Sequence, residues 1–375
     1  MLATVSARIP WYVWTSVASV SCILSGVYWD ISWHMSIGRD SFWTPAHIAI
    51  QLGGIIAGVA GSALIVSTTL HRDAPLRAAS ISVWGFRGPF GAFLAVWGGA
   101  TMVVSAPFDN WWHNAYGLDV KILSPPHTVL TLGILGVAIG SILLVLATMN
   151  RASGDMRRRL EWLILLVGGE MLVLAMISII EHTFRSNLHR GDAYRALSIV
   201  APLFIVAAAR ASGRRWAATI VAATYTLFMA AMVWLFPLFP AEAKLGPVYQ
   251  PITHYIPLEF PMLIVVPAIA LDLVGERLEA RPRWQRALLL GPLFLVLLVA
   301  AEWPFASFLS SPASRNWFFG THYFAYFMHP EWHETRGEFF DDPTRTSAFV
   351  QALVAAIFST GIGLLIGDAM RKVRR

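Results

Sequence analysis

The chain has 375 residues, of which 56% are hydrophobic and 13% charged, with a formal net charge of +6 and a single cysteine. Charged residues make up about a quarter of an ordinary soluble domain, so this composition excludes one. The lone Cys22 excludes a disulfide framework or a thiolate cluster. Nineteen of the 28 basic residues gather at one set of apolar-segment ends, among them Arg8, Arg77, Arg87, Arg157 to Arg159, Arg210, Arg277, Arg283 and the tail from Arg371. That grouping is the positive-inside pattern, so the charge sets topology and implies no nucleic-acid partner.

Backbone groups in lipid must be satisfied within the chain, so recurrent long apolar runs mean helices. The fold class expected is all-α: a polytopic integral membrane helical bundle in the inner (cytoplasmic) membrane, with both termini cytoplasmic. Its transmembrane helices number about ten, at roughly 10–29, 46–69, 88–107, 127–148, 159–180, 194–210, 216–237, 256–274, 286–308 and 347–369. The first run lacks a small-residue cleavage site and is read as a retained helix.

Two stretches repeat one another where the first and third runs end. The first is Asp30, then Trp33-His34, then Arg39-Asp40, then Thr44-Pro45-Ala46-His47; the second is Asp109, then Trp112-His113, then Asp119, then Ser124-Pro125-Pro126-His127. In each, an Asp precedes a His by four residues, which places both on one helix face. The second His follows by 13 residues in one copy and 14 in the other. It lies just after a helix-start signal, Thr44 or Ser124 as N-cap with Pro45 or Pro125 at the first helical position. A helix end and the start of the next would therefore converge two imidazoles and a carboxylate on one point, twice.

An ionised Asp at mid-helix in lipid costs on the order of 2.5–3.5 kcal/mol unless it is paired, and a bound cation removes that cost. Asp40 and Asp119 are candidates to orient a ligand imidazole. Trp33, Trp43, Trp111 and Trp112 divide between an interfacial aromatic belt and the wall of a dry pocket. The donor set suits non-haem Fe(II), Zn(II) or Cu(II) equally. The competing reading is a structural repeat held by Asp–His hydrogen bonds without metal.

Ten of the eleven histidines, all but His71, fall on the side opposite the basic ends. Such one-sidedness favours metal or redox chemistry toward the outer, periplasmic face over a solute path, which needs polar residues at both ends.

The stretch from Asp30 through Arg39-Asp40 and Thr44-Pro45 to His47 resembles the signature of the C subunit of copper membrane monooxygenases, the particulate methane and ammonia monooxygenase family. The second copy is similar to that subunit's neighbouring copper site, with Asp109 standing where the family has Asn. In the second half, Phe236-Pro237, Pro240, the run from Pro251 through His254 and Pro257 to Glu259, and His329-Pro330-Glu331-Trp332 look similar to the A subunit. The resemblance implies a fusion: residues 1–150 a C-like region of four helices with both motifs, and residues 151–375 an A-like region of about six helices with a long outer loop at 309–345.

It also implies copper at two sites, quinol as reductant, and O2-dependent hydroxylation of a small apolar or ammonia-like substrate. Asp109, His113 and His127 would be the catalytic ligands and Asp30, His34 and His47 the adjacent set. No segment resembles the cupredoxin-containing B subunit, so a cupredoxin-like partner subunit and an oligomer are implied. Two alternatives stay open: a non-enzymatic membrane protein that binds or delivers copper, and a membrane non-haem iron or haem redox protein.

The remaining histidines, His182, His189, His254, His322, His329 and His333, carry no assigned role. The expected alternative to a third site there is that Arg185, Arg190, Arg195 and Arg336 pair with nearby acids. Glu170 and Glu302 fall inside apolar runs, as candidates for a proton path, a quinol site or paired structural acids.

Overall fold

Helices form over nearly every apolar run, and eight of those described are long and apolar enough to cross a bilayer. The protein is therefore an integral membrane protein. The computed structural model describes residues 8–38, 43–71, 76–117, 124–329 and 346–375. Asp40, Asp119 and His333 lie outside the described residues.

In chain order the helices are α1 (Trp11–Ser36), α2 (Pro45–Leu70), α3 (Phe90–Tyr116), α4 (Pro125–Met149), α5 (Gly154–Ile177), α6 (Gly191–Ser212), α7 (Ala217–Leu235), α8 (Val265–Arg277), α9 (Arg283–Leu309) and α10 (Thr346–Met370). A short hairpin, β1 (Ile81–Val83) and β2 (Phe86–Gly88), precedes α3. Two of the ten expected spans fall outside the eight. Helix α1 forms over 26 residues but is diluted by Trp, Tyr, Ser and Thr. Helix α8 has only 13 residues, about 20 Å at 1.5 Å per residue, against a hydrocarbon thickness of about 30 Å.

The span expected at 256–274 is thus a correction. Pro257 and Pro261 remove backbone donors ahead of Val265, and residues 255–264 run as irregular chain. That chain is buried all the same, with Ile256, Leu258, Met262 and Ile264 in the core. Non-helical backbone at such depth must find partners in the protein. The N–H of Ile256 donates to Ser36 Oγ (2.7 Å), that of Met262 to Tyr225 Oη (3.3 Å) and that of Leu263 to Glu302 Oε2 (2.7 Å).

The chain divides into two compact units. The first comprises Met1–Val27, Ser41–Val167 and Arg371–Arg375. Within it α2, α3 and α4 meet through glycines. A Cβ at Gly98 would stand 2.6 Å from Gly133 O and from Val137 N. Only glycine permits that approach, the usual way membrane helices gain contact without a hydrophobic drive.

The second unit comprises Tyr28–Asp40 and Gly168–Met370. Here α6 and α10 pack closely, a Cβ at Gly363 standing 2.9 Å from Leu203 O. Arg210 joins them by donating from Nε to Asp368 Oδ1 (2.7 Å), and it also donates from Nη1 to Glu279 Oε1 (2.8 Å). The last two turns of α1 pack here, Trp33 and Ile37 clustering with Ala241 and Tyr255.

Candidate metal centre

The three residues of the second motif meet inside the first unit. Helix α3 continues past Pro107 to Tyr116, so Asp109 and His113 sit one turn apart on the same face near its end. Helix α4 starts as its sequence signals predict. Ser124 is extended (φ −91°, ψ 162°), its Oγ accepts the N–H of His127 at 3.4 Å, and Pro125 and Pro126 open the first turn. The cap puts His127 in the first turn, facing Asp109. One carboxylate oxygen, Asp109 Oδ1, lies 3.1 Å from His113 Nε2 and 3.6 Å from His127 Nε2. Asp109 and His113 are nearly buried, with side chains 8% and 9% exposed, while His127 retains 27%.

The environment of His113 limits its hydrogen bonding. Its Nδ1 lies 3.2 Å from the carbonyl oxygen of Gly117, and its Nε2 faces Asp109. Both ring nitrogens therefore face acceptors, yet a neutral imidazole carries one N–H. Whichever nitrogen carries the proton, the other faces an acceptor: Nε2–H donated to Asp109 leaves Nδ1 against Gly117 O, and Nδ1–H donated to Gly117 O leaves Nε2 against the carboxylate. A second imidazole nitrogen faces the same oxygen. Each imidazole reaches Asp109 Oδ1, but Asp109, His113 and His127 are not a set whose ligand atoms all lie within 4.8 Å of one another, so holding one ion would require the two imidazoles to draw together. The structural-repeat reading, an Asp–His hydrogen bond without metal, accounts for the Asp109–His113 contact directly.

Beside these residues lies a cavity of about 20 Å³, room for one water-sized occupant, lined by His47, Gln51, Ser105, Asp109 and His127. Gln51 Oε1 is buried with no hydrogen-bond partner. Gln51 was not anticipated from the sequence, although it lies one helical turn after His47. Ser105, one turn before Asp109, was equally legible by spacing.

The first motif divides between the units. In the second unit, Asp30 Oδ2 and His34 Nε2 stand 3.6 Å apart at the end of α1. In the first unit, His47 occupies the opening turn of α2. Thr44 (φ −86°, ψ 154°) accepts its N–H on Oγ1 at 3.2 Å, with Pro45 next, the same cap as at His127.

The tryptophans sort cleanly. Trp43 and Trp111 are exposed, as an interfacial belt requires, whereas Trp33 is buried. Trp112 packs on Tyr116, ring centroids 4.4 Å apart.

The other histidines make local contacts. His189 Nε2 is 2.9 Å from Trp303 O and 3.1 Å from Ser307 Oγ, with its ring stacked on Trp303. His254 and His322 each pack against Tyr323, and His329 against Tyr249. Burial pushes the His254 imidazole below its ordinary range, with a smaller contribution from nearby His322. Arg185 reaches Glu259 at 3.7 Å and Arg195 reaches Asp192 at 3.1 Å, the arginine pairing expected of this region. His182 follows Glu181 in a single 3-10 turn between α5 and α6.

Comparison of the chain with protein-family models, with curated proteins and with solved structures gives no match in any of the three. A functional reading therefore stands on the two motif copies and their geometry.

Proposed function

We propose that the chain is a membrane-bound copper-dependent monooxygenase, or a subunit of one, hydroxylating a small apolar or ammonia-like substrate with O2. The observation that carries this reading is the convergence of His113 and His127 on one oxygen of Asp109, with the His113 ring held between two acceptors. Asp109, His113 and His127 are the catalytic ligand set in this proposal. Asp30, His34 and His47 are the second set, supported by the repeated motif, by the Asp30–His34 pair and by the matching caps at His47 and His127. The resemblance to copper membrane monooxygenases selects copper from among the metals that two imidazoles and a carboxylate accept.

Bound copper would supply electrons to O2. The net reaction consumes one C–H or N–H bond, O2, two electrons and two protons, and yields the hydroxylated product and water; a quinol supplies both electrons and protons. The chain's own residues have defined parts. Gly117 O orients the His113 ring, Asp109 neutralises cationic charge between the imidazoles, and Gln51 offers its amide oxygen to the cavity. Glycine-mediated packing of α3 on α4 holds the two helix ends in place. The proposal also includes the inner membrane, cytoplasmic termini, sites toward the outer face, a cupredoxin-like partner subunit and an oligomer.

A second reading, a membrane protein that binds or delivers copper without turnover, is favoured by the exposure of His34 (34%) and His127 (27%), which suits ligand exchange. Metal analysis of the protein in lipid, wild type beside His113→Ala and His34→Ala, tests both readings. About two coppers per chain, one lost in each variant, together with O2-dependent product, supports the monooxygenase. Histidine-dependent copper that passes to an acceptor without product formation supports delivery. Iron, zinc, or metal indifferent to these histidines removes the copper proposal.

A further inference from the structure

Glu302, in the last third of α9, has no exposed surface at all. Its Oε2 accepts the N–H of Leu263 at 2.7 Å, just before α8, while its Oε1 is buried with no hydrogen-bond partner. Among the described residues no cationic side chain lies within 4.0 Å of it. Two tyrosines are within its electrostatic reach, Tyr194 on α6 and Tyr225 on α7. Tyr225 Oη accepts the N–H of Met262, which leaves its own proton free to donate. Tyr194 Oη is, like Glu302 Oε1, buried and unpartnered, and so is Ser198 Oγ one turn along the same face of α6. All of these residues belong to the second unit.

Glu302 Oε1, Tyr194 Oη and Ser198 Oγ are each buried without a partner, and such atoms are uncommon because each has given up water for nothing. An ionised carboxylate here would have no counter-charge beyond the partial positive charge of the start of α8. A neutral carboxylic acid needs only an acceptor for the proton on Oε1. A single internal water with two to four polar partners is the usual resolution of such a group of orphans.

We propose that Glu302 is a proton-binding site inside the membrane bundle: a neutral acid with its proton on Oε1, donated to an internal water shared with Tyr194 and Ser198. The ligands are a proton and a water molecule. This inference does not rest on the copper proposal.

Infrared spectroscopy of the full chain in lipid at neutral pH tests it. The C=O stretch of a protonated carboxyl group is expected, shifted on transfer to D2O, lost in Glu302→Gln and kept in Glu170→Gln. In Tyr194→Phe the band persists but moves in frequency, because one partner of the water is gone. Should Glu302→Gln fail to insert, carbodiimide labelling of the wild type provides the second measurement, since the reagent adds to protonated carboxyls in apolar surroundings; an adduct mapped to Glu302 is expected. A band that survives in Glu302→Gln, a wild type with no protonated carboxyl band, or labelling that spares Glu302 overturns the proposal and leaves Glu302 as an ionised cap of α8. A Tyr194→Phe band at the wild-type frequency overturns the shared water.

Discussion

His127 opens α4 with its Nε2 3.6 Å from Asp109 Oδ1, a carboxylate held two turns before the end of α3. Eighteen positions of sequence separate these residues, and the contact exists because a cap, a proline and two close-packed helices each place one side of it. Changes at any of those features should register at the site.

Asp109→Ala removes the oxygen that both imidazoles face. Copper affinity of the first-unit site should fall by at least about tenfold, the scale on which even outer partners of metal ligands act. Equilibrium dialysis against a competing chelator measures it, and unchanged affinity would show that Asp109 only pairs with His113.

Gln51→Leu separates binding from stability. Removing a buried, unsatisfied amide oxygen should stabilise the metal-free protein by about 1 kcal/mol. The same change should weaken copper binding if Oε1 turns toward the bound ion. Thermal unfolding and copper titration of the same preparation report the two effects; a destabilised apo-protein would contradict the burial argument.

Ser124→Ala deletes the cap that sets the His127 backbone. A loss of about 1 kcal/mol is expected. The copper EPR spectrum should change as His127 drifts, whereas Thr44→Ala should leave the signal of the Asp109 site in place. Identical spectra for wild type and Ser124→Ala would separate cap from site.

Gly98→Ala places a methyl group 2.6 Å from Gly133 O, with backbone rather than a flexible side chain in its way. Overpacking of this kind costs about 1–3 kcal/mol. Because α3 carries Asp109 and His113 and α4 carries His127, copper affinity should fall along with the melting temperature. Gly85→Ala, at a hairpin position with nothing within 4 Å, perturbs only a turn of positive φ and should spare copper binding.

His254 makes stability pH-dependent with a definite sign. Its folded imidazole is depressed from the ordinary 6.5, chiefly by burial, so the unfolded chain takes up the proton first as pH falls. More protons bound in the unfolded state means stability that rises with pH. The contribution is full above the unfolded value and is lost as pH falls through the folded one. Melting temperatures between about pH 5 and pH 7 should decline on the acid side, and less steeply in His254→Gln. Parallel curves would show that another group governs the acid limb.

Much of the fold was legible because lipid allows few alternatives. The apolar runs at 46–69, 127–148 and 347–369 became α2, α4 and α10 with ends displaced by one or two residues. Thr44-Pro45 and Ser124-Pro125 predicted caps that form as read, since both signals act within one turn. The reading failed at 256–274, where hydropathy ran straight through Pro257 and Pro261. It also ended the third span at 107, although α3 continues through Asp109 to Tyr116. Composition measures affinity for lipid, while proline chemistry and a buried partner decide where the helix itself stops.

The sequence by itself determined the class of the protein, the helical state of its apolar runs and which side chains could ligate a metal, because each follows from local spacing and from the cost of unsatisfied backbone in lipid. Only the tertiary structure decided that Asp109 is shared by two imidazoles, that Gln51 and Ser105 line their cavity, and that buried irregular chain before α8 depends on Glu302 and Tyr225. Those relationships arise where separate helices meet, and packing between helices is set by which small residues let two backbones approach, information that no single helix carries.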